Sequence, residues 1–143
     1  MSGNVKKEFL DLGRHPIANA FLKNKSDFDD EFFFDLKVCW DEESKLVSIK
    51  NFVEPERIFN EDYPYNTSNS FPMIKHFFDT AEMLSKRFEP KKVLEIGSNS
   101  GPFIENFNKL DSVCVEPCDN FAKVTGDMGY KTYTDFGTTE LSD

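Results

Sequence analysis

The clearest alternation of apolar and polar positions lies over residues 71–88. Ile74, Phe77, Phe78, Ala81, Leu84 and Phe88 recur at helical spacing, while Lys75, Asp79, Glu82, Lys86 and Arg87 fall elsewhere around the wheel. The pattern predicts a helix over residues 71–88 with Ser70 as its N-cap. After Pro90-Lys91-Lys92 the period changes. Val93, Leu94 and Ile96 form a short, nearly continuous apolar run, as in a strand covered on both faces. Gly97 and Gly101 interrupt it, and Pro102 suits the first turn of a helix. Phe103, Ile104, Phe107 and Leu110 follow at helical spacing, so residues 91–104 read as strand, glycine turn and helix start. Residues 112–117 predict the next strand. Residues 119–128 predict a second helix with Asp119 as its cap and Gly129 as its stop, and residues 130–133 a third strand.

The first half is patterned differently. Phe32, Phe34, Leu36, Val38 and Trp40 alternate over residues 31–40, which argues for a strand. Residues 41–44 read as a turn and residues 45–53, with Leu46, Val47, Ile49 and Phe52, as the partner strand of a hairpin spanning residues 31–53. Gly13 and Pro16 punctuate residues 9–22, which therefore read as loop or short strand with a turn. Residues 23–30 read as an exposed loop. Pro55 marks a short helix entry over residues 54–59, and the polar, hydroxyl-rich stretch 60–70 carries Tyr63 and Tyr65.

Length changes the picture first: 143 residues make one ordinary domain, or one small domain plus part of another. The net charge of −9 disfavours nonspecific binding to nucleic acid or to an anionic membrane. No apolar run approaches the roughly 20 residues of a membrane span, and the polar N-terminus lacks a signal-peptide core. Three cysteines, Cys39, Cys114 and Cys118, give no disulfide framework and imply a reducing, cytoplasmic compartment.

The glycine turn carries the candidate chemistry. It sets backbone N–H groups beside the carboxyl end of a strand, where α/β sheets bind ligands. Glu116, at the end of the next strand, lies 19 positions after Gly97, the spacing at which an acid commonly accepts hydrogen bonds from a ribose. The pattern is Glu-x-Gly-x-x-x-Gly, which argues against a dinucleotide and for another adenosine-bearing cofactor.

Five segments carry a family resemblance: FLDLGRHPIANAF at 9–21, YPYNTSNS at 63–70, His76-Phe77, LEIGSNSG at 94–101, and Val115-Glu116-Pro117. In order and spacing the chain resembles the S-adenosylmethionine-dependent sugar C-methyltransferases, which act on nucleotide-linked keto-deoxysugars. The resemblance implies an α/β fold with a partial Rossmann-like (class I methyltransferase) sheet after a small hairpin-containing domain. It implies boundaries at residues 1–54, 55–90 and 91–143. The family's first domain holds zinc on two Cys-x-x-Cys pairs. Here no cysteine precedes Phe9, and Glu42 stands at the partner position of Cys39, so the site is degenerate and no metal ligand is assigned. Cys114 and Cys118 read as packing residues.

The resemblance further implies that Glu95, Gly97, Ser98, Asn99 and Gly101 approach S-adenosylmethionine and that Glu116 holds its ribose. Ser100 stands where relatives often carry Asp, which removes a charge. Tyr63 or Tyr65 is implied as the catalytic tyrosine facing the sugar, and His76 as a structural side chain. The family's Glu-His acid/base pair is not among the 143 residues, nor is the sugar-nucleotide domain. A full nucleotide-binding sheet has about six strands, and this chain predicts three. The expectation is the N-terminal portion of an enzyme, continued in the same chain or completed by a partner chain. The alternatives are a noncatalytic module binding the cofactor or a protein, and a remnant.

Overall fold

The computed structural model describes residues 6–139 and divides into two compact units, the boundary falling after Ile58. The first unit is a three-stranded antiparallel sheet in the order β1-β2-β3. β1 spans Lys6–Pro16, β2 Phe33–Asp41 and β3 Val47–Ile49. The predicted hairpin forms, with Val38 opposite Ile49 and Trp40 opposite Val47. A single turn of helix, α1 (Pro55–Ile58), follows.

Of the two readings of residues 9–22, the strand holds and is longer than expected, since most of these residues belong to the 11-residue strand β1. Gly13 does not end the strand. It takes φ of 81° within a register shift between Asp11 and Arg14, and its N–H donates to Asp11 Oδ1 at 2.8 Å. The strand absorbs the glycine as a bulge, and Pro16 is its last residue. The stretch read as exposed loop is exposed, but residues Lys25–Asp30 form a 3₁₀ turn.

The second unit opens with α2 (Phe71–Phe88), as the apolar stripe predicts, although the Ser70 side chain makes no capping bond. Three parallel strands follow in the order β4-β5-β6: β4 (Val93–Ile96), β5 (Ser112–Val115) and β6 (Lys131–Tyr133). Helix α3 (Asp119–Asp127) links the last two; its N-cap is Cys118, and Asp119 sits inside the first turn. The core gathers Ile104, Cys114 and Tyr130, with Val93, Phe107 and Met128 packed around them. Thr125 of α3 meets Thr132 of β6 at 3.0 Å, oxygen to oxygen. The rings of Phe77, Phe103 and Phe107 run edge-on from α2 to this core, at 6.0 and 5.2 Å.

Two expectations are corrected here. No α-helix starts directly after Gly101; between β4 and β5 only 3₁₀ turns form, at Ile104–Asn106 and Lys109–Asp111. The Asn106 amide donates to the carbonyls of Pro102 and Phe103, and the Asn108 side chain accepts from Leu110 N–H, so side chains take over groups a helix would use. Nor is β4 covered on both faces. Leu94 and Ile96 are 60% and 61% exposed. Leu94, Ile96, Val113, Val115 and Tyr133 share one sheet face and line an open cavity of about 330 Å³. Both crossover connections lie on the opposite face, with α3 and Ile104.

This asymmetry sets two outcomes. Ile104→Ala, at a wholly buried site, costs about 2–5 kcal/mol in urea unfolding of the second unit. Leu94→Asn, on the open face, stays within about 0.5 kcal/mol of the parent.

Candidate functional site

The site is built where β4 and β5 end. The bend begins as Gly97 N–H donates to Val115 O at 2.8 Å and closes as Gly101 N–H donates to Ser98 O at 2.9 Å. Three of its residues have positive φ: Gly97 at 75°, Asn99 at 47° and Gly101 at 85°. Gly101 has no room for a side chain, since a Cβ would lie 2.9 Å from Thr125 Cγ2; a Cβ on Gly97 would meet only open space. The bend is thus packed on α3 at one glycine and open at the other.

Glu116 reaches into this bend. Its Oε2 accepts from Asn99 N–H at 2.6 Å and its Oε1 from Cys118 N–H at 2.9 Å, and the residue is 4% exposed. The carboxylate lies against the turn and not at a distant sheet edge. Each oxygen holds one main-chain donor and retains a lone pair for another. Burial, and then contact with Glu116, push the neighbouring Cys118 thiol up to about 12, so it stays protonated, in keeping with its reading as a packing residue.

Glu95, on β4, has Ile104 N–H as a donor, while its Oε2 is buried without a hydrogen-bond partner. Burial raises its pKa from 4.5 to about 7, the Ile104 bond opposes this, and the charge of Glu116 adds to it. Ser98 is buried in the same bend, its Oγ also without a partner.

The tyrosine loop is latched to the bend. Asn99 Nδ2 donates to Tyr65 O at 2.9 Å, and Asn99 Oδ1 accepts from Thr67 N–H at 2.9 Å. Ser100 Oγ accepts from Ser68 N–H at 3.2 Å and bonds Ser68 Oγ at 2.6 Å. Asn120 Nδ2 donates to Tyr63 O at 3.1 Å. The structure therefore brings Glu95, Gly97, Ser98, Asn99, Gly101 and Glu116 together and ties the backbone of Tyr63 and Tyr65 beside them. The Tyr63 ring packs edge-on against Phe59, 5.3 Å away, whereas Tyr65 is exposed. His76 is exposed on α2, its ring 5.5 Å from that of Phe77. Of the latch residues, Ser100 stood out in the sequence only for the charge it lacks, and Asn120 carried no site reading. For Asn99 the only hint of its backbone role was the tolerance of asparagine for the left-handed region.

Residues 2–59 match the model of a methyltransferase-associated family described as "Putative zinc binding domain". No curated protein matches the chain. The first unit is accordingly a methyltransferase-associated N-terminal domain, and the whole is a mixed α/β chain joining it to a parallel sheet. Zinc does not fit the residues present. Cys39 is wholly buried, His15 Nε2 is bonded to Leu12 O at 2.8 Å, and among the described residues no group of three or more His, Cys, Asp or Glu can hold a metal. No described helix is long and apolar enough to cross a membrane.

Two predictions follow from the geometry. Because the folded pKa of Glu95 is raised, the native state holds its proton more tightly than the unfolded chain between pH 4.5 and about 7. Stability therefore falls as pH rises through that window. Glu95→Gln removes the cost: in urea titrations it matches the parent at pH 4 and exceeds it by about 1–3 kcal/mol at pH 8. Asn99→Gly keeps the left-handed backbone but cuts the latch, so limited proteolysis within residues 60–70 accelerates at least about 5-fold, as expected for losing roughly 1 kcal/mol of side-chain hydrogen bonding.

Proposed function

We propose that the second unit is the opening part of an S-adenosylmethionine-binding domain, and that the chain is the N-terminal portion of a nucleotide-sugar C-methyltransferase. The observation that carries this reading is the Glu116 carboxylate held against the glycine bend at adjoining strand ends. A carboxylate there suits the two hydroxyls of a ribose, and the open side of Gly97 lets main chain approach a ligand. The partnerless oxygen of Glu95 suits an ammonium donor on the methionine part of the cofactor. Bound S-adenosylmethionine would supply an electrophilic methyl group. A tyrosine of the latched loop, Tyr63 or Tyr65, would donate to the oxygen of a keto-sugar as its neighbouring carbon loses a proton.

The uncovered face supports the remainder of the proposal. The connections β4→β5→β6 lie on one face, so helices for the other face must come from strands added beyond the free edge of β4. That reversal makes the carboxyl end of β4, where Gly97 stands, the topological switch point at which such sheets bind ligands. The additional strands and helices, from further polypeptide or a partner chain, would bring the base and the sugar-nucleotide site. The 143 residues alone bind cofactor without turnover.

Isothermal titration of the chain with S-adenosylhomocysteine checks this. The expected dissociation constant is tighter than about 1 mM, weakened at least about 10-fold by Glu116→Gln. Absence of binding by the folded parent chain, or methyl transfer to a keto-deoxysugar nucleotide by that chain alone, contradicts the reading.

A further inference from the structure

We infer that the N-terminal unit holds its fold without a structural metal, the hairpin turn that a zinc knuckle would close being closed by the Asp41 carboxylate. A structural zinc site takes four nitrogen or sulfur donors, at times oxygen. Residues 1–58 contain one cysteine, Cys39, and one histidine, His15. Cys39 is wholly buried, while Glu42, three positions on, is exposed. The two side chains that a knuckle would turn toward one ion thus occupy opposite environments.

Asp41 supplies another closure. It is 8% exposed, at the last position of β2. Its Oδ1 accepts from Glu43 N–H at 2.9 Å and Ser44 N–H at 3.0 Å, inside the turn. Its own N–H donates to Leu46 O at 3.0 Å, and its carbonyl accepts from Lys45 N–H at 3.0 Å. Lys45 takes the left-handed conformation, φ 60°, that lets the chain reverse. A thiolate on a metal would accept turn N–H groups in the same way; here the acceptor is a carboxylate of the chain itself.

The strands are also cross-linked by charge. Lys37 Nζ on β2 lies 2.8 Å from Asp11 Oδ2 and 3.5 Å from Glu8 Oε1, both on β1. Lys50, just past β3, lies 3.0 Å from Glu8 Oε2. Two ammonium groups therefore tie β1 to β2 and to the end of the hairpin. They act as a network, the arrangement in which surface ion pairs contribute measurably.

Trp40, the chain's one tryptophan, lies on β2 and reports this unit within the intact chain. Protein expressed in zinc-supplemented medium is expected to carry less than about 0.1 zinc per chain by elemental analysis. Its Trp40-monitored melting midpoint should be unmoved by EDTA or by equimolar zinc. Asp41→Ala should lower that midpoint by about 4–8 °C, and Asp41→Asn, which keeps an acceptor oxygen, by less than half as much. Stoichiometric zinc, a midpoint lowered by EDTA, or an Asp41→Ala midpoint equal to the parent's would each overturn the inference.

Discussion

A single hydrogen bond organises the second unit: Asn99 N–H to Glu116 Oε2, 2.6 Å long. It joins the ends of two adjacent parallel strands through a side chain, where the ladder itself has stopped. For the N–H to point at the carboxylate, the chain must enter the left-handed region at Asn99, and it does so between two glycines that also have positive φ. That turn aims the Asn99 side chain back at the loop bearing Tyr63 and Tyr65. Backbone strain, a buried acid and a latched loop are therefore parts of one arrangement. Removing the carboxylate would leave two main-chain donors unpaired beneath the bend, a cost of about 1–3 kcal/mol for each.

The second constraint is one-sided coverage. On one face of the parallel sheet Ile104, Cys114 and Tyr130 pack closely; on the other, Leu94 and Ile96 stand in the open. Among the described residues, the stretch around Gly137 reaches that face, so closely that a Cβ on Gly137 would lie 2.5 Å from Ile96 Cγ2. Parallel sheets hold together when both faces are dry. The open face and the free edge of β4 are therefore the physical features behind the proposal of further strands.

Much of this was legible in the sequence, for identifiable reasons. Helix α2 declared itself because six apolar residues at helical spacing leave little alternative. The meeting of Glu116 with the glycine bend was legible because parallel neighbours with a crossover between them must end side by side. The helix expected after Gly101 failed because apolar spacing is blind to side-chain competition, here from Asn106 and Asn108. The length of β1 was not legible because Gly13 reads as punctuation, whereas a bulge accommodates it. The coverage of β4 could not be read locally, since burial depends on what the remaining chain brings to each face. The latch through Asn99 escaped notice because its partners, Tyr65 and Thr67, lie more than 30 positions earlier and are engaged through their main chain.

Amide-resolved hydrogen exchange by NMR, with and without S-adenosylhomocysteine, tests the central contact most directly. The account predicts slow exchange at the Asn99 and Cys118 amides in the free chain, and ligand-induced shifts confined to residues 63–70, 95–101 and 116–118. Fast exchange at both amides, or shifts centred away from these segments, would contradict it.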